Sequence, residues 1–464
     1  MSQENKPASS AGKMQKIISL CKRRGFIYPG SEIYGGLANS WDFGPLGAQL
    51  KKNIKDLWWQ YFVVNRDDVI GIDAALMMNP KVWEASGHVA GFTDPLVECK
   101  ECHQRFRADH LEISKLKTQN CPQCGGILTQ PKAFNLMFKT FIGPVDNQAN
   151  AVYLRPETAQ AMFVNFKNIL DSTRIDLPFG IAQIGKAFRN EITPGNFIFR
   201  VLEFEQMEIE YFIPASLQGW EKFFGDWQEQ MSNWLKFIGI NSQNYAIREH
   251  AKDELSHYSK RTIDFEYKFP FGQKELYGLA YRTDFDLKNH EKHNVLGVNL
   301  EYTDPQTGEK FIPHVIEPTF GVERTILAVL CDAFEEVEGG RGEGSRQEKE
   351  VVLRLDKKIA PIKVAVFPLA KKEPLILKSR EIVKNLRQNC GHLPNFVIAY
   401  DDSGSIGKRY RRQDEIGTPY CVTVDFDSLD DQAVTVRDRD TMKQDRVAVD
   451  EIKEFLFNKF NYQN

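Results

Sequence analysis

The apolar positions of the chain switch between two periods, and the switches outline its parts. From Phe179 to Phe212 apolar and aromatic residues dominate (Phe179, Ile181, Ile184, Phe188, Phe197, Phe199, Val201, Ile209, Tyr211, Phe212), interrupted by Thr193-Pro194-Gly195-Asn196. This reads as two strands joined by a turn. At the two-residue period of a strand, one face of the first carries Gln183, Arg189 and Glu191. The matching face of the return strand carries Arg200, Phe204, Gln206 and Glu208. A hairpin this apolar is expected inside a sheet, where charge is costly unless it meets a partner. Two arginines, an aromatic ring and several carboxylates on that face point to an anionic, aromatic ligand such as a nucleotide.

Elsewhere the pattern is helical. Gln15 to Arg24 reads as a short amphipathic helix stopped by Gly25. Leu46 to Val64 carries Leu50, Ile54, Leu57, Trp58, Tyr61 and Phe62 on one stripe. Helices are also expected around Glu157 to Leu170, over Leu217 to Phe237, and from the Pro-Thr-Phe-Gly turn at Glu317 to Val337. Strands are expected over residues 69–80, ending at Pro80, and repeatedly through 242–317. Ser31 to Gly47 is so rich in glycine and aromatics that tight turns and close backbone approach are expected there.

Glu338 to Glu350, glycine-rich and charged, reads as a linker. Beyond it, apolar strands at Val364–Pro368, Phe396–Tyr400, Tyr420–Val424 and Ala433–Arg437 alternate with helical stretches at Leu375–Asn389 and Ser405–Gly417. That is the pattern of a small α/β domain.

Length, charge and cysteines narrow the class. A chain of 464 residues suggests two or three domains. A net charge of −3 provides no global basic field, so any RNA contact must come from local patches. No apolar run approaches the roughly 18 residues of a membrane helix. Met1 to Lys13 is polar and reads as a disordered tail, and a reducing cytosol is the expected compartment. Cys99-x2-Cys102 and Cys121-x2-Cys124, eighteen residues apart, match the spacing of a four-thiolate zinc ribbon, with a disulfide pair or free thiols as alternatives. Four protein ligands close the coordination sphere, so such a zinc would be structural. Cys21, Cys331, Cys390 and Cys421 read as buried residues, and no spacing among His88, His110, His257, His290, His293 and His314 suggests ligands.

Phe188-Arg189-x-Glu191, a loop, then Arg200-x3-Phe204 resembles motif 2 of class II aminoacyl-tRNA synthetases. Gly321-Val322-Glu323-Arg324 resembles motif 3, and the helix from Leu46 with the strand ending at Pro80 resembles motif 1. Gly30-to-Gly36, Trp83-to-His88, Arg155-to-Gln160 and Glu317-to-Gly321 extend the similarity to the homodimeric glycyl-tRNA synthetase family, and Ile406-to-Gly417 resembles that family's anticodon-binding domain.

The resemblance implies an α+β catalytic domain over residues 15–350 after a tail at 1–14, with an antiparallel sheet flanked by helices. A zinc-ribbon insertion would occupy 95–132, a further insertion is possible at 242–315, and a small α/β anticodon-binding domain would span 351–464. It implies glycine activation by ATP with Mg2+, transfer to tRNA(Gly), a cytoplasmic homodimer and no membrane partner. Arg189 and Arg324 would be catalytic. ATP would meet Arg189, Asn190, Glu191, Phe199, Arg200, Val201, Leu202, Glu203, Phe204, Glu275, Leu276, Gly321, Val322, Glu323 and Arg324, with Phe204 under adenine and Glu275 and Glu317 placed for magnesium or the amine. Glycine would be held by Arg107, Glu157, Phe204, Glu205, Gln206, Met207, Glu208, Glu317, Pro318, Thr319, Phe320 and Gly321. Lys408, Arg409, Arg411 and Arg412, near Tyr410, would contact tRNA. The family usually has arginine where this chain has Leu202, a position on the nucleotide-facing side of the strand. Two other readings stay open: a class II synthetase for another small amino acid, or an inactive synthetase-like nucleic-acid-binding accessory protein.

Overall fold

A computed structural model describes residues 10–109, 111, 120–145, 150–192, 195–215, 219–338, 349–391 and 393–460. Its centre is a seven-stranded sheet. In chain order the strands are β1 (Val69–Gly71), β2 (Phe179–Phe188), β3 (Glu203–Ile213), β4 (Tyr245–Glu249), β5 (Arg261–Phe269), β6 (Gly272–Thr283) and β7 (His314–Gly321). In space they run β4-β5-β6-β7-β3-β2-β1. Every pairing is antiparallel except β1 with β2.

Strand alternation decides what each face does. Met207, Ile209 and Tyr211 of β3, Tyr277 and Leu279 of β6, and Ile316 and Phe320 of β7 are buried in one core. They pack with Trp58 and Phe62, with Trp227 and Trp234 of helix Trp220–Phe237, and with Ile326 and Leu330 of helix Val322–Ala333. The opposite face carries Phe179, Ile181, Phe212 and Val315 at one end, covered by Met162, Phe163 and Phe166. The remainder of that face is open, and there the charged side chains gather.

Several expected boundaries move, each for a local reason. The first helix begins at Ser10, so residues 10–14 are helical, whereas a tail was expected over 1–14; residues 1–9 lie outside the described ones. The strand expected over 69–80 is only Val69–Gly71. Pro80 instead opens helix Pro80–Ala85, where a missing N–H costs nothing, and the Asn79 side chain caps it by accepting from the Lys81 N–H at 3.0 Å. Phe197–Phe199 is a 3-10 turn preceding β3, with Asn196 and Phe197 in the left-handed region, whereas a strand was expected; Thr193 and Pro194 lie outside the described residues. The helix expected around 157–170 is two, Ala159–Val164 and Phe166–Thr173. Within the glycine-rich segment, a Cβ on Gly47 would meet the Phe26 carbonyl oxygen at 1.8 Å, which is the close backbone approach its composition suggests.

Residues 242–315 are no separate insertion, because β4, β5 and β6 continue the central sheet. The linker at 338–350, much of which lies outside the described residues, joins Phe334–Val337 to Glu350–Leu353, which pair antiparallel. Leu353, Leu355, Ile359 and Ala360 pack into the first core, so the core changes after residue 360 and not at 350. The second core is organised by β8 (Val364–Pro368), β9 (Ile398–Tyr400), β10 (Tyr420–Val424), β11 (Ala433–Asp438) and β12 (Gln444–Ala448), ordered β9-β8-β10-β11-β12. The β12 strand and the helix Ile452–Phe460 are additions to the sequence expectation. A three-stranded sheet of Thr93–Glu98, Arg105–Arg107 and Lys132–Asn135 carries the cysteine module.

Candidate active site

The open face of the central sheet forms a cavity of about 310 Å3. Its lining includes Glu157, Arg189, Glu191, Phe199, Arg200, Val201, Phe204, Gln206, Glu208, Glu275, Leu276, Glu317, Thr319, Gly321, Glu323 and Arg324. The register brings them together: Glu208 lies opposite Gln183 on one side and Thr319 on the other, while Gln206 lies opposite Gly321.

One region of the lining is cationic and aromatic. Arg189 donates through Nε to the Pro156 carbonyl at 3.0 Å, and its guanidinium lies 5.3 Å from the centroids of both Phe204 and Phe92. Arg324 lies 4.6 Å over Phe199 and meets the half-exposed Glu275 carboxylate at 3.1 Å. Arg324 holds the Glu275 carboxyl below its ordinary range. Arg200 approaches Glu191 at 3.9 Å. No carboxylate among the described residues is at ion-pair distance from Arg189.

The other region is anionic. Glu208 accepts from the hydroxyls of Thr158 and of Thr319, the latter at 3.0 Å. Glu317 accepts from Arg282 at 2.7 Å. Glu157 lies 3.2 Å from His88 Nε2, whose Nδ1 is 2.8 Å from Ser86 Oγ. Burial opposes ionisation of Glu157, but His88, with Arg282 and Gln160, more than offsets it and holds that carboxyl well below the usual range. Burial also opposes ionisation of Glu317, and there it prevails. Despite Arg282, and with Glu208 and Glu157 adding repulsion, its carboxyl is pushed up to about 8.

Other expected site residues are elsewhere. Glu205 alternates to the opposite face, where Lys55 bonds it at 2.9 Å and Lys51 lies at 3.4 Å, so it is no part of the amine-side cluster. Glu203, exposed on that same face, pairs with Lys186. Met207, Pro318 and Phe320 turn away from the cavity, and Val322 is buried in its helix. Arg107 is held by Asp94 at 2.6 Å and Asp109 at 2.8 Å. Asn190 is fixed through its backbone N–H to Leu136. Leu202 lines a neighbouring cavity of about 460 Å3 with Trp41, Phe43 and Phe188 and is absent from the lining of the main cavity, whereas a nucleotide-facing position was expected.

A family model described as "tRNA synthetase class II core domain (G, H, P, S and T)" matches residues 138–332, and one described as "Anticodon binding domain" matches 363–459. Glycine–tRNA ligase from Acetivibrio thermocellus is 52% identical over 97% of this chain and 99% of its own length. Those from Streptomyces coelicolor (51%, over 97% and 99%) and Thermobifida fusca (49%, over 97% and 98%) are similar. The chain belongs to the glycine–tRNA ligase family. Its class II core and anticodon-binding domain fall where the two hydrophobic cores were found, and the second match begins just past the change of core at residue 360.

In this glycine–tRNA ligase fold, sequence reasoning missed Arg282, Tyr258, His250 and Asp264. The last three line the cavity, and His250 Nε2 is 2.7 Å from Asp264. Arg282 is 2% exposed, makes two bonds to Asp286 at 2.8 and 2.9 Å, and lies 3.9 Å over the Tyr258 ring. No motif spacing links these residues; the pairing of β6 with β7 brings Arg282 beside Glu317.

The cysteine sulfurs suit a metal. Cys99 and Cys124 are 3.5 Å apart, Cys102 and Cys121 3.7 Å, and all four sulfurs fall within 4.8 Å of one another. Sulfurs bound tetrahedrally at about 2.3 Å from zinc would be roughly 3.8 Å apart. The Gln123 and Gly126 N–H groups donate to Cys121 and Cys124 sulfurs at 3.4 Å, as suits thiolates.

The expected tRNA surface needs correction at its centre. Arg409 is buried and donates to the carbonyls of Pro368, Asp402 and Gly404. Tyr410 packs edge-on against Phe367, lies under Arg437 and bonds Thr423, so its ring is not offered to a base. Arg412 is tied to Asp401 at 2.6 Å, and Lys408 and Arg411 remain exposed. Arg409→Ala is expected to cost about 1–3 kcal/mol of stability by stranding buried carbonyls, readable as a lower denaturant midpoint. Lys408→Ala and Arg411→Ala should leave that midpoint unchanged, weaken tRNA binding severalfold and lower its salt slope by about one each.

Proposed function

We propose that the protein activates glycine with ATP, releasing pyrophosphate, and transfers the glycyl group to the 3′ end of tRNA(Gly). One observation carries the reading: the cavity joins a buried carboxylate region to an arginine-aromatic region on one sheet face. An amino acid whose ammonium sits at Glu157, Glu208 and Glu317 presents its carboxylate toward Arg189. Arg189 then bridges that carboxylate and the α-phosphate, where charge develops as the carboxylate oxygen attacks phosphorus and pyrophosphate leaves. Arginine suits this role because its planar fork keeps its charge and binds oxygens in pairs. Arg324 and Arg200 take the outer phosphates, adenine stacks on Phe204, and Glu191 accepts from its amino group. Glu275 would help hold a Mg2+ ion, which would supply further charge neutralisation at the phosphates.

Glycine offers no side chain to grip. Selectivity therefore falls to the ammonium contacts and to the lack of room beyond Cα, which disfavours alanine by roughly 1–3 kcal/mol or more. With radiolabelled amino acids, a tRNA(Gly) transcript should accept glycine and exclude alanine and serine. Equal charging with serine would contradict the pocket assignment.

The cysteine module holds one structural zinc, with the protein acting as a cytoplasmic homodimer. The exposed Ile33, Tyr34 and Leu37 give the second copy an apolar surface. Metal analysis should find about one zinc per chain, and Cys121→Ser should remove it and lower the melting temperature by several degrees. A full-strength melt without zinc would contradict the assignment.

A further inference from the structure

Glu210 lies one strand repeat beyond Glu208 on the same face of β3 and has no exposure to solvent. Neither of its carboxylate oxygens has a hydrogen-bond partner among the described residues. Glu208, Glu210 and Glu317 each place an oxygen within 4.8 Å of the other two. The surrounding charges do not balance this group. β7 contributes Glu317, β6 contributes Arg282, and helix Phe285–His293 contributes Asp286 and His290. Tyr258 and Glu157, the latter paired with His88, face Glu317 from the connecting segments. β2 contributes only the neutral Gln183, and helix Ala159–Val164 only Gln160 and Phe163. Arg282 spends its bonds on Asp286 and Glu317.

Two buried arginines, Arg282 and, toward Glu208 alone, Arg155, therefore face four buried carboxylates: Asp286, Glu317, Glu208 and Glu210. Excess buried negative charge is removed most cheaply by taking up a proton. We propose that the Glu208–Glu210–Glu317 set holds a proton while the site is empty and releases it to solvent when the ammonium of glycine binds, Glu210 being the positioning residue that enforces the exchange. This rests on the glycine reading above. The exchange balances: the ammonium enters with its own protons and positive charge, and one carboxylic proton leaves. Burial and mutual repulsion raise all three carboxyls, as the direction of the exchange requires.

Glycine binding to the full-length protein, titrated calorimetrically near pH 7 in phosphate and in Tris, tests the exchange, because the two buffers take up a proton with different heats. The wild type should release up to about one proton per site, and its glycine affinity should rise severalfold per pH unit. Glu210→Gln, an uncharged replacement of the same shape, should bind glycine with little proton release and little pH dependence. Wild-type heat that is the same in both buffers would overturn the proposal while leaving the glycine reading intact. So would release that persists in Glu210→Gln, which would place its source at His88 and Glu157. Should Glu210→Gln not fold, His88→Asn decides: release retained there supports the carboxylate set, and release lost overturns it. A protein giving no glycine heat in any buffer would overturn the glycine reading and the exchange with it.

Discussion

Arg189→Ala is expected to slow glycine-dependent adenylate formation on the order of 10²–10³-fold, equivalent to about 3–4 kcal/mol of lost transition-state stabilisation. The reaction needs no side-chain nucleophile, so catalysis rests on alignment and on charge placed at phosphorus. Arg189 is poised for this: one nitrogen is anchored to the Pro156 carbonyl, and the guanidinium lies 5.3 Å from each of two aromatic rings. The ground-state complex gains less from it than the transition state, so kcat should fall more than KM rises. The variant should melt like the wild type, because Arg189 makes no ion pair among the described residues. Nucleic-acid binding by an accessory protein would be indifferent to the change, whereas unaltered adenylate formation would contradict the role given to Arg189.

Arg282→Met is expected to be the most destabilising of the single substitutions considered, by about 3–5 kcal/mol, and to abolish measurable glycine activation. A buried ion pair adds little stability over an apolar replacement, but deleting one partner leaves the other charge stranded. Here Asp286 and Glu317 lose their arginine partner, beside a Glu210 that has no hydrogen-bond partner among the described residues. The sign with pH follows. The stranded carboxyls can recover part of the cost by taking up protons, so the deficit against wild type should shrink as pH falls from about 8 towards 6 and widen as it rises. Urea midpoints at several pH values would measure it. A deficit independent of pH would point to lost packing against Tyr258 and Phe163, which Arg282 also covers.

Much of the site was legible because a strand has a strict period. Arg189, Phe204, Gln206 and Glu208 were readable as one face, and the structure keeps them on one cavity wall. The same period excludes Glu205, which stands between Gln206 and Phe204 on the pleat; placing it with the amine-side carboxylates followed the family resemblance against the alternation. Arg409 shows the helical version of the error. A run of basic residues suggested a solvated RNA face, yet Arg409 recurs with Gln413 and Ile416 at four- and three-residue steps, and all three are buried. Arg282 and Glu210 could not be read as partners of the site, since only the pairing of β3, β7 and β6 brings them beside Glu317. Likewise Leu353 to Ala360 follow a linker in sequence but return to the first core, which no local pattern announces.

The measurement that tests the central claim most directly is pyrophosphate exchange into ATP by the purified full-length protein, with each amino acid supplied in turn and no tRNA. The geometry of the carboxylate and arginine regions predicts exchange that depends on glycine and on no other amino acid. Exchange driven by another amino acid would contradict the pocket, and no exchange with any of them would contradict catalysis at this site altogether.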